Sequence, residues 1–336
     1  MKTKTIIIAE AGVNHNGKVN LAKKLVKIAK NAGADYVKFQ YFNPEYLTTN
    51  FSKQADYQKK TYKQKKNSQK TMLKKLCLSL NQLIEVHNYC KKKKIKFAIS
   101  VFDHISLKNI KKFNLDFIKI PSGEITNYPL LRDVAKMNKK IILSTGMSNI
   151  KDIYNALRVL QKYKQKKSKI TLMHCTTNYP TSEDEVNISS ITEIKKKFKI
   201  DVGYSDHTSG NEAACAAVAF GARIFEKHFT ISRKLDGPDH SASLEPDELK
   251  NYIKSIKKTE KMIGTGKKTL LESEKKNFKI VRKSIYANKK INIGEYFTEQ
   301  NIITKRPLKD SNPMKWSKII GSKSKRNYKI DDEIKI

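Results

Sequence analysis

His207 and His228 stand at the ends of two consecutive apolar runs, Val202–Ser205 and Arg223–His228. If those runs are paired strands, the two imidazoles are neighbours. Two imidazoles with water and a substrate oxygen suit a divalent ion used as a Lewis acid. The spacing of Cys77, Cys90, Cys175 and Cys215 argues against a structural zinc site. Asp206 and Glu226 are natural partners for orienting the imidazoles. One histidine at a strand end is equally well explained as a hydrogen-bonded structural residue; the pairing is what favours a metal.

Lys38 and Lys119 form a second pair, lying inside the apolar runs Tyr36–Gln40 and Phe117–Pro121. A lysine there is costly to bury unless it meets an anion. With the hydroxyls of Ser100, Ser122, Thr177 and Ser205, the two ammoniums would make a site for a phosphate plus a carboxylate. Two other readings compete: a lysine snorkelling to the rim, and a Schiff-base lysine, which implies an aldolase. Glu10 and Glu124 are candidates for acid–base work. Asp239 and His240, in Gly237-Pro238-Asp239-His240, are placed to contact a polar substrate such as a sugar.

These residues need a scaffold that gathers strand ends. Eight strand-like runs are expected: Thr5–Ala9, Tyr36–Gln40, Lys96–Phe102, Phe117–Pro121, Ile141–Thr145, Ile170–Cys175, Val202–Ser205 and Arg223–His228. Between them lie patterns of helical period, such as Leu21, Leu25, Ile28 and Ala29 within Val19–Ala32. Eight β–α alternations predict an α/β chain folded as a (β/α)8 TIM barrel. No GxGxxG follows the first strand, which argues against a dinucleotide fold. Six of the seven histidines, all but His87, fall on or just after strand ends, where barrel enzymes keep their chemistry. The loop from Tyr41 to about Met72, with Tyr57 and Tyr62, is long enough to be a partly ordered cover. The barrel is expected over residues 1–266, a polar linker over 267–280, and a small, mostly β domain over 281–336. About 55 residues is small for independence, so that domain is expected to dock on a partner surface.

The formal net charge is +37, yet only seven of the 69 basic residues are Arg and the rest are Lys. Base-reading proteins favour Arg, so this excess reads as general Lys enrichment, with no nucleic-acid partner. A polyanion-binding barrel without catalysis is the reading it leaves standing. No apolar stretch approaches a membrane span, and the N-terminal apolar run is too short for a signal peptide. Unpaired thiols fit a cytoplasmic protein.

The strings IIIAEAGVNHNG, GADYVKFQ, FIKIPSGEITN, IILSTGM, LMHCTTNYP, VGYSDHT, FEKHFT, GPDHSASLEP, VRKSI and KRP run in order through nearly the whole chain. In them the sequence resembles the sialic acid synthase family, the phosphoenolpyruvate-dependent N-acetylneuraminate synthases and their legionaminate and pseudaminate relatives. The resemblance implies a barrel followed by a small antifreeze-like (SAF) domain, exchanged within a homodimer. It implies Mn2+, or Mg2+ or Co2+ in its place, on His207 and His228. It assigns Lys38 and Lys119 to phosphoenolpyruvate, with Ser100, Ser122, Thr177 and Ser205 beside them. It gives Glu10 and Glu124 catalytic roles and assigns Gln40, Tyr179, Asp239 and Arg306 to an N-acylated amino sugar. Arg306 would come from the partner subunit. Two departures stand out: Ile99-Ser100-Val101-Phe102-Asp103 has lost the family's proline, and Leu308–Asn312 departs from the usual glycine-rich stretch.

Overall fold

The structure is a computed structural model that describes residues 5–54 and 68–335. Eight parallel strands close into a barrel in chain order: β1 (Ile6–Gly12), β2 (Tyr36–Tyr41), β3 (Lys96–Val101), β4 (Phe117–Ile120), β5 (Lys140–Ser144), β6 (Ile170–His174), β7 (Asp201–Asp206) and β8 (Ile224–His228). Strand β1 pairs with both β2 and β8, which closes the ring.

Side-chain alternation splits each strand between two environments. Outward residues such as Ile7, Val37, Ile99, Ile118, Leu143, Leu172, Val202 and Phe225 pack into the main core beneath the helices. Inward, Ile8, Tyr36, Ala98, Phe117, Ile142 and Met173 form an apolar plug. Two residues further along these strands stand Glu10, Lys38, Ser100, Lys119, Ser144 and Cys175. The interior therefore changes from apolar to polar in one step towards the carboxyl ends.

The helices are α1 (Val19–Ala32), α2 (Pro44–Leu47), α3 (Gln69–Leu76), α4 (Leu80–Lys93), α5 (His104–Asn109), α6 (Tyr128–Lys136), α7 (Ile150–Lys162), α8 (Ser190–Phe198), α9 (Glu212–Ala219) and α10 (Pro246–Met262). Helix α1 buries Ala22, Leu25, Val26 and Ala29 and stops at Gly33, whose φ of 88° is left-handed. Ser79 and Gln82 form a capping box on α4. The Lys91–Lys94 run is the last turn of that helix and its left-handed cap.

Strand β1 runs on to Gly12, beyond the expected Ala9, so Glu10 lies within the ladder, opposite Lys38. Asp103 caps α5 by accepting from the Ser106 amide at 2.7 Å, and it also accepts from the Asn43 amide. Of the long loop after β2, α2 and α3 are described; Tyr57 and Tyr62 lie outside the described residues.

The chain divides into two compact units between Gly264 and Thr265. The stretch read as a linker is largely helical, α11 (Glu272–Val281). Its first turn is closed by Glu274, which accepts from the Leu271 amide at 2.8 Å. The second unit pairs β9 (Ser284–Ala287) antiparallel with β10 (Ile302–Lys305), followed by the one-turn helix α12 (Trp316–Ile319). Its own core holds Ile285, Ala287, Ile291, Phe297, Ile302, Ile319, Tyr328 and Ile334. Among the described residues, no helix is long and apolar enough to cross a membrane.

Candidate active site

A cavity of about 360 Å³ opens at the carboxyl ends of the strands. Its floor is a buried charge cluster. Lys38 Nζ donates to Ser100 Oγ at 2.6 Å and lies 3.0 Å from Glu10 Oε2 and 3.3 Å from Glu226 Oε2. Lys119 Nζ donates to Ser144 Oγ at 2.8 Å and lies 3.4 Å from Glu226 Oε1. That same oxygen accepts from Ser205 at 3.0 Å.

Glu226 thus bridges both lysines, and the electrostatics follow. Burial alone would raise its pKa, but Lys119 and Lys38 outweigh it and hold the carboxyl down at about 2. Glu10 has one lysine and a neighbouring carboxylate; burial dominates and pushes it up to about 7. Burial would lower Lys38, but Glu10 and Glu226 hold it above its ordinary value. Lys119 shares its only close carboxylate, and burial leaves it lowered. One firm negative charge therefore faces two amines, and the floor is short of anions.

Hydroxyls complete this floor. Ser122 Oγ accepts from the Gly146 amide at 3.0 Å and lies 3.2 Å from Cys175 Sγ. Thr177 Oγ1 is buried without a partner. A Cβ on Gly146 would come within 2.4 Å of that Thr177 oxygen and 2.8 Å of Ser122 Oγ, so this close approach requires glycine. Two ammoniums, an unsatisfied hydroxyl and several serines form a cradle for a dianion.

Above this floor the rings of His207 and His228 lie 5.8 Å apart. Tyr179 lies 4.2 Å from the first and 5.7 Å from the second. His207 Nδ1 donates to the Thr176 carbonyl at 2.6 Å, which leaves Nε2 with a free lone pair. His228 Nδ1 is buried without a hydrogen-bond partner. Burial holds both imidazoles neutral, His207 at about 4 and His228 well below its ordinary value. Neutral, unpartnered imidazole nitrogens fit a metal donor set. Among the described residues no group of three His, Cys, Asp or Glu side chains is placed to hold an ion. The site offers two imidazoles, those of His207 and His228, as candidate donors. A Cβ on Gly12 would lie 3.4 Å from Glu10 Oε1, 3.4 Å from His228 Cε1 and 3.5 Å from Asp239 Oδ2. Those three groups converge there, and burial pushes Asp239 up to about 6.

The cavity gathers most of the expected site: Glu10, Lys38, Gln40, Ser100, Lys119, Ser122, Thr177, Tyr179, Ser205, His207, His228 and Asp239 all line it. Gln40 donates to Glu10 Oε1 at 3.3 Å. Glu124 does not line the cavity, and its carboxylate accepts from Asn127 at 2.6 Å. Arg306 lies exposed just after β10 in the second unit. Of the strand-end histidines, only His207 and His228 line the cavity. His174 bonds the Val186 carbonyl, His240 bonds Thr230, and His15 accepts from the Gly17 amide. Asp206 and Glu226 make no hydrogen bond to either imidazole. Glu226 serves the lysines, and Asp206 pairs with Lys227 at 3.2 Å.

Two contributors escaped sequence reasoning. The Thr176 carbonyl orients His207, and a backbone group leaves no side-chain signal. An apolar wall of Phe42, Leu47, Met72, Leu73, Leu76 and Phe102 faces the polar floor, assembled from the short helices α2 and α3 and from the residues just after β2 and β3.

The chain is similar to known proteins over most of its length. The NeuB family model matches residues 25–268 and the SAF domain model residues 282–334. The chain is 49% identical to an N,N'-diacetyllegionaminic acid synthase of Campylobacter jejuni over 99% of both chains. It is 38% identical to a synthase of the same description from Legionella pneumophila, over 96% of this chain and 90% of that one. A crystal structure of N-acetylneuraminic acid (sialic acid) synthetase from Leptospira borgpetersenii, in complex with citrate, superposes with a TM-score of 0.71 at 32% identity, covering 82% of this chain and 90% of that one.

Proposed function

This chain belongs to the NeuB family, and from that premise we propose that it condenses phosphoenolpyruvate with an open-chain N-acylated amino sugar, giving a nonulosonic acid and phosphate. The observation that carries the reading is the stacking of two layers in one cavity: Lys38 and Lys119 around Glu226 below, His207 and His228 above.

Lys38, Lys119 and the hydroxyls of Ser100, Ser122, Thr177 and Ser205 bind the carboxylate and phosphate of phosphoenolpyruvate. Gln40, Tyr179 and Asp239 orient the sugar so that its aldehyde carbon meets the methylene carbon. A divalent ion on His207 and His228, Mn2+ first and Mg2+ or Co2+ as alternatives, would supply Lewis acidity to the aldehyde oxygen. The new carbon–carbon bond leaves positive character on the enol carbon. Water adds there, and Glu10 takes its proton and returns it to the alkoxide left by the aldehyde; the tetrahedral carbon then collapses to the ketone, expelling phosphate by carbon–oxygen cleavage as its hydroxyl proton passes to the leaving phosphate. Holding two reactants in register accounts for up to ~7–11 kcal/mol of such a barrier.

The names of the relatives and the apolar wall favour a diacetamido-trideoxyhexose over N-acetylmannosamine as the sugar. A methyl group gains from Leu47, Leu73 and their neighbours, where a hydroxymethyl would lose its water. The chemistry belongs in the cytoplasm, where phosphoenolpyruvate is made. We read Arg306 as completing the sugar side of the partner subunit's site in a homodimer; a monomer by light scattering would remove it from the site.

The deciding experiment incubates the protein with phosphoenolpyruvate and each sugar, and reads product mass and released phosphate with and without a chelator. Turnover untouched by chelation would sink the metal reading. The lowered pKa of Lys119 keeps an aldolase reading in view. Borohydride with pyruvate separates the two, and no adduct is expected.

A further inference from the structure

Asp206 and Lys227 are register partners on β7 and β8. The rung before them, Ser205 and Glu226, faces the cavity. Alternation turns Asp206 and Lys227 the other way, under the helices. Each is 1% exposed. Their charged atoms lie 3.2 Å apart. Asp206 Oδ1 accepts from the Thr208 amide at 2.9 Å and its hydroxyl at 2.7 Å, while Lys227 Nζ donates to the Thr208 carbonyl. The ring of Tyr252, on α10, lies 5.4 Å from the ammonium.

Stability alone does not explain this pair. Desolvating two charges is expensive, and an apolar pair of similar volume is often as stable or more so. Its position in the chain does explain it. The residue after Asp206 is His207, and the residue after Lys227 is His228. The rung is the last one registered between the two strands, since β7 ends at Asp206. His207 leaves the sheet at once, but Thr208 on its far side is fastened back to the same two charged groups. The backbone on both sides of His207 is therefore tied to the residue before His228.

We infer that the buried Asp206–Lys227 pair is a positioning device that sets the separation and aim of His207 and His228, and through them the affinity for a divalent ion. The inference rests on the two-histidine metal reading above. Neither residue touches substrate, and neither lines the cavity.

The test is Mn2+ binding, followed by electron paramagnetic resonance on the full chain, with circular dichroism as the check on folding. Removing one partner alone would strand a buried charge, so the variant is the double Asp206→Asn/Lys227→Met. Expected is a folded protein whose Mn2+ dissociation constant rises about 10-fold or more, as for loss of other groups that orient metal ligands, with an altered Mn2+ spectrum. If that variant does not fold, Asp206→Leu/Lys227→Met, which leaves no polar side chain at either position, is read in the same way. A folded double variant with wild-type affinity and spectrum overturns the positioning role and leaves the metal reading intact. A wild-type protein that binds no Mn2+ overturns the metal reading, and this inference with it.

Discussion

Glu10 Oε2 and Lys38 Nζ lie 3.0 Å apart with both side chains almost fully buried, yet they are not a balanced ion pair. Lys38 is shared with Glu226, and burial pushes Glu10 up to about 7. A carboxyl poised near neutrality can take a proton from attacking water and return it later.

The first prediction follows from that poise. If Glu10 is the base for water addition, kcat/KM rises with pH through about 7. Glu10→Gln should flatten that limb and lower kcat/KM by about 100-fold or more. Stability has the opposite sign. The folded pKa is raised above the ordinary 4.5, so the stabilising contribution of Glu10 is complete below 4.5 and is lost as pH rises through about 7. Glu10→Gln should therefore gain stability relative to the parent across that window. Parallel pH–rate profiles for parent and variant would remove Glu10 from the proton transfer.

Lys119→Met should act on the dianion rather than the sugar. It leaves Ser144 without its donor and Glu226 with Lys38 alone. Loss of one preorganised charge aimed at the reacting anion costs about 3–4 kcal/mol, or roughly 10²–10³ in rate. Steady-state kinetics should show that loss in kcat/KM for phosphoenolpyruvate, with the sugar KM within about threefold. An equal rise in both KM values would mean general damage to the site.

All eight strands were legible to within a few residues, for a physical reason. Strands buried on both faces read as dense apolar runs, as in Ile7-Ile8-Ala9 of β1 and Ile141-Ile142-Leu143 of β5. Polar residues two apart, such as Glu226 and His228, announce a shared inward face. What they do not announce is the partner across the interior. Glu226 and Asp206 each lie within two residues of a histidine in the sequence, but alternation sends one to the lysines and the other behind the sheet. Helix α11 was missed because it buries none of its residues and so lacks an apolar stripe. The apolar wall went unseen because Met72 and Leu76 meet Phe42 and Val13 only through the fold.

In the second unit, Glu333 offers a stability prediction with its own reporter. Its Oε1 accepts from the amides of Asp310 and Ser311 at 2.7 and 2.8 Å and from the Ser311 hydroxyl at 2.9 Å. Burial would raise this carboxyl, but those donors outweigh it and lower its pKa. A lowered folded pKa stabilises above the ordinary glutamate range, and that stability is lost as pH falls through the folded value. Glu333→Ala should cost about 1.5–3 kcal/mol at neutral pH, and less in acid. The chain's one Trp is Trp316, packed against this unit's core. Its fluorescence in urea melts isolates this unit from the barrel. An unchanged midpoint at pH 7 would mean the three hydrogen bonds contribute nothing.

The apolar wall gives the last prediction, on sugar choice. All four of Leu47, Met72, Leu73 and Leu76 line the cavity, but Leu47 and Leu73 are half-buried whereas Met72 and Leu76 are buried in the core. A change at Leu73 should therefore alter the surface met by substrate without emptying the core. One extra methylene in an apolar pocket discriminates by about 1–3 kcal/mol, or roughly 10–200-fold. The parent should prefer a diacetamido-trideoxyhexose over N-acetylmannosamine by at least about 10-fold in kcat/KM. Leu73→Gln gives the wall a hydrogen-bonding group and should shrink that ratio, mainly by weakening use of the trideoxy sugar. Phosphate release with each sugar in turn measures both ratios. A parent that uses the two sugars equally, or a ratio that Leu73→Gln leaves in place, would show that this wall does not select the sugar.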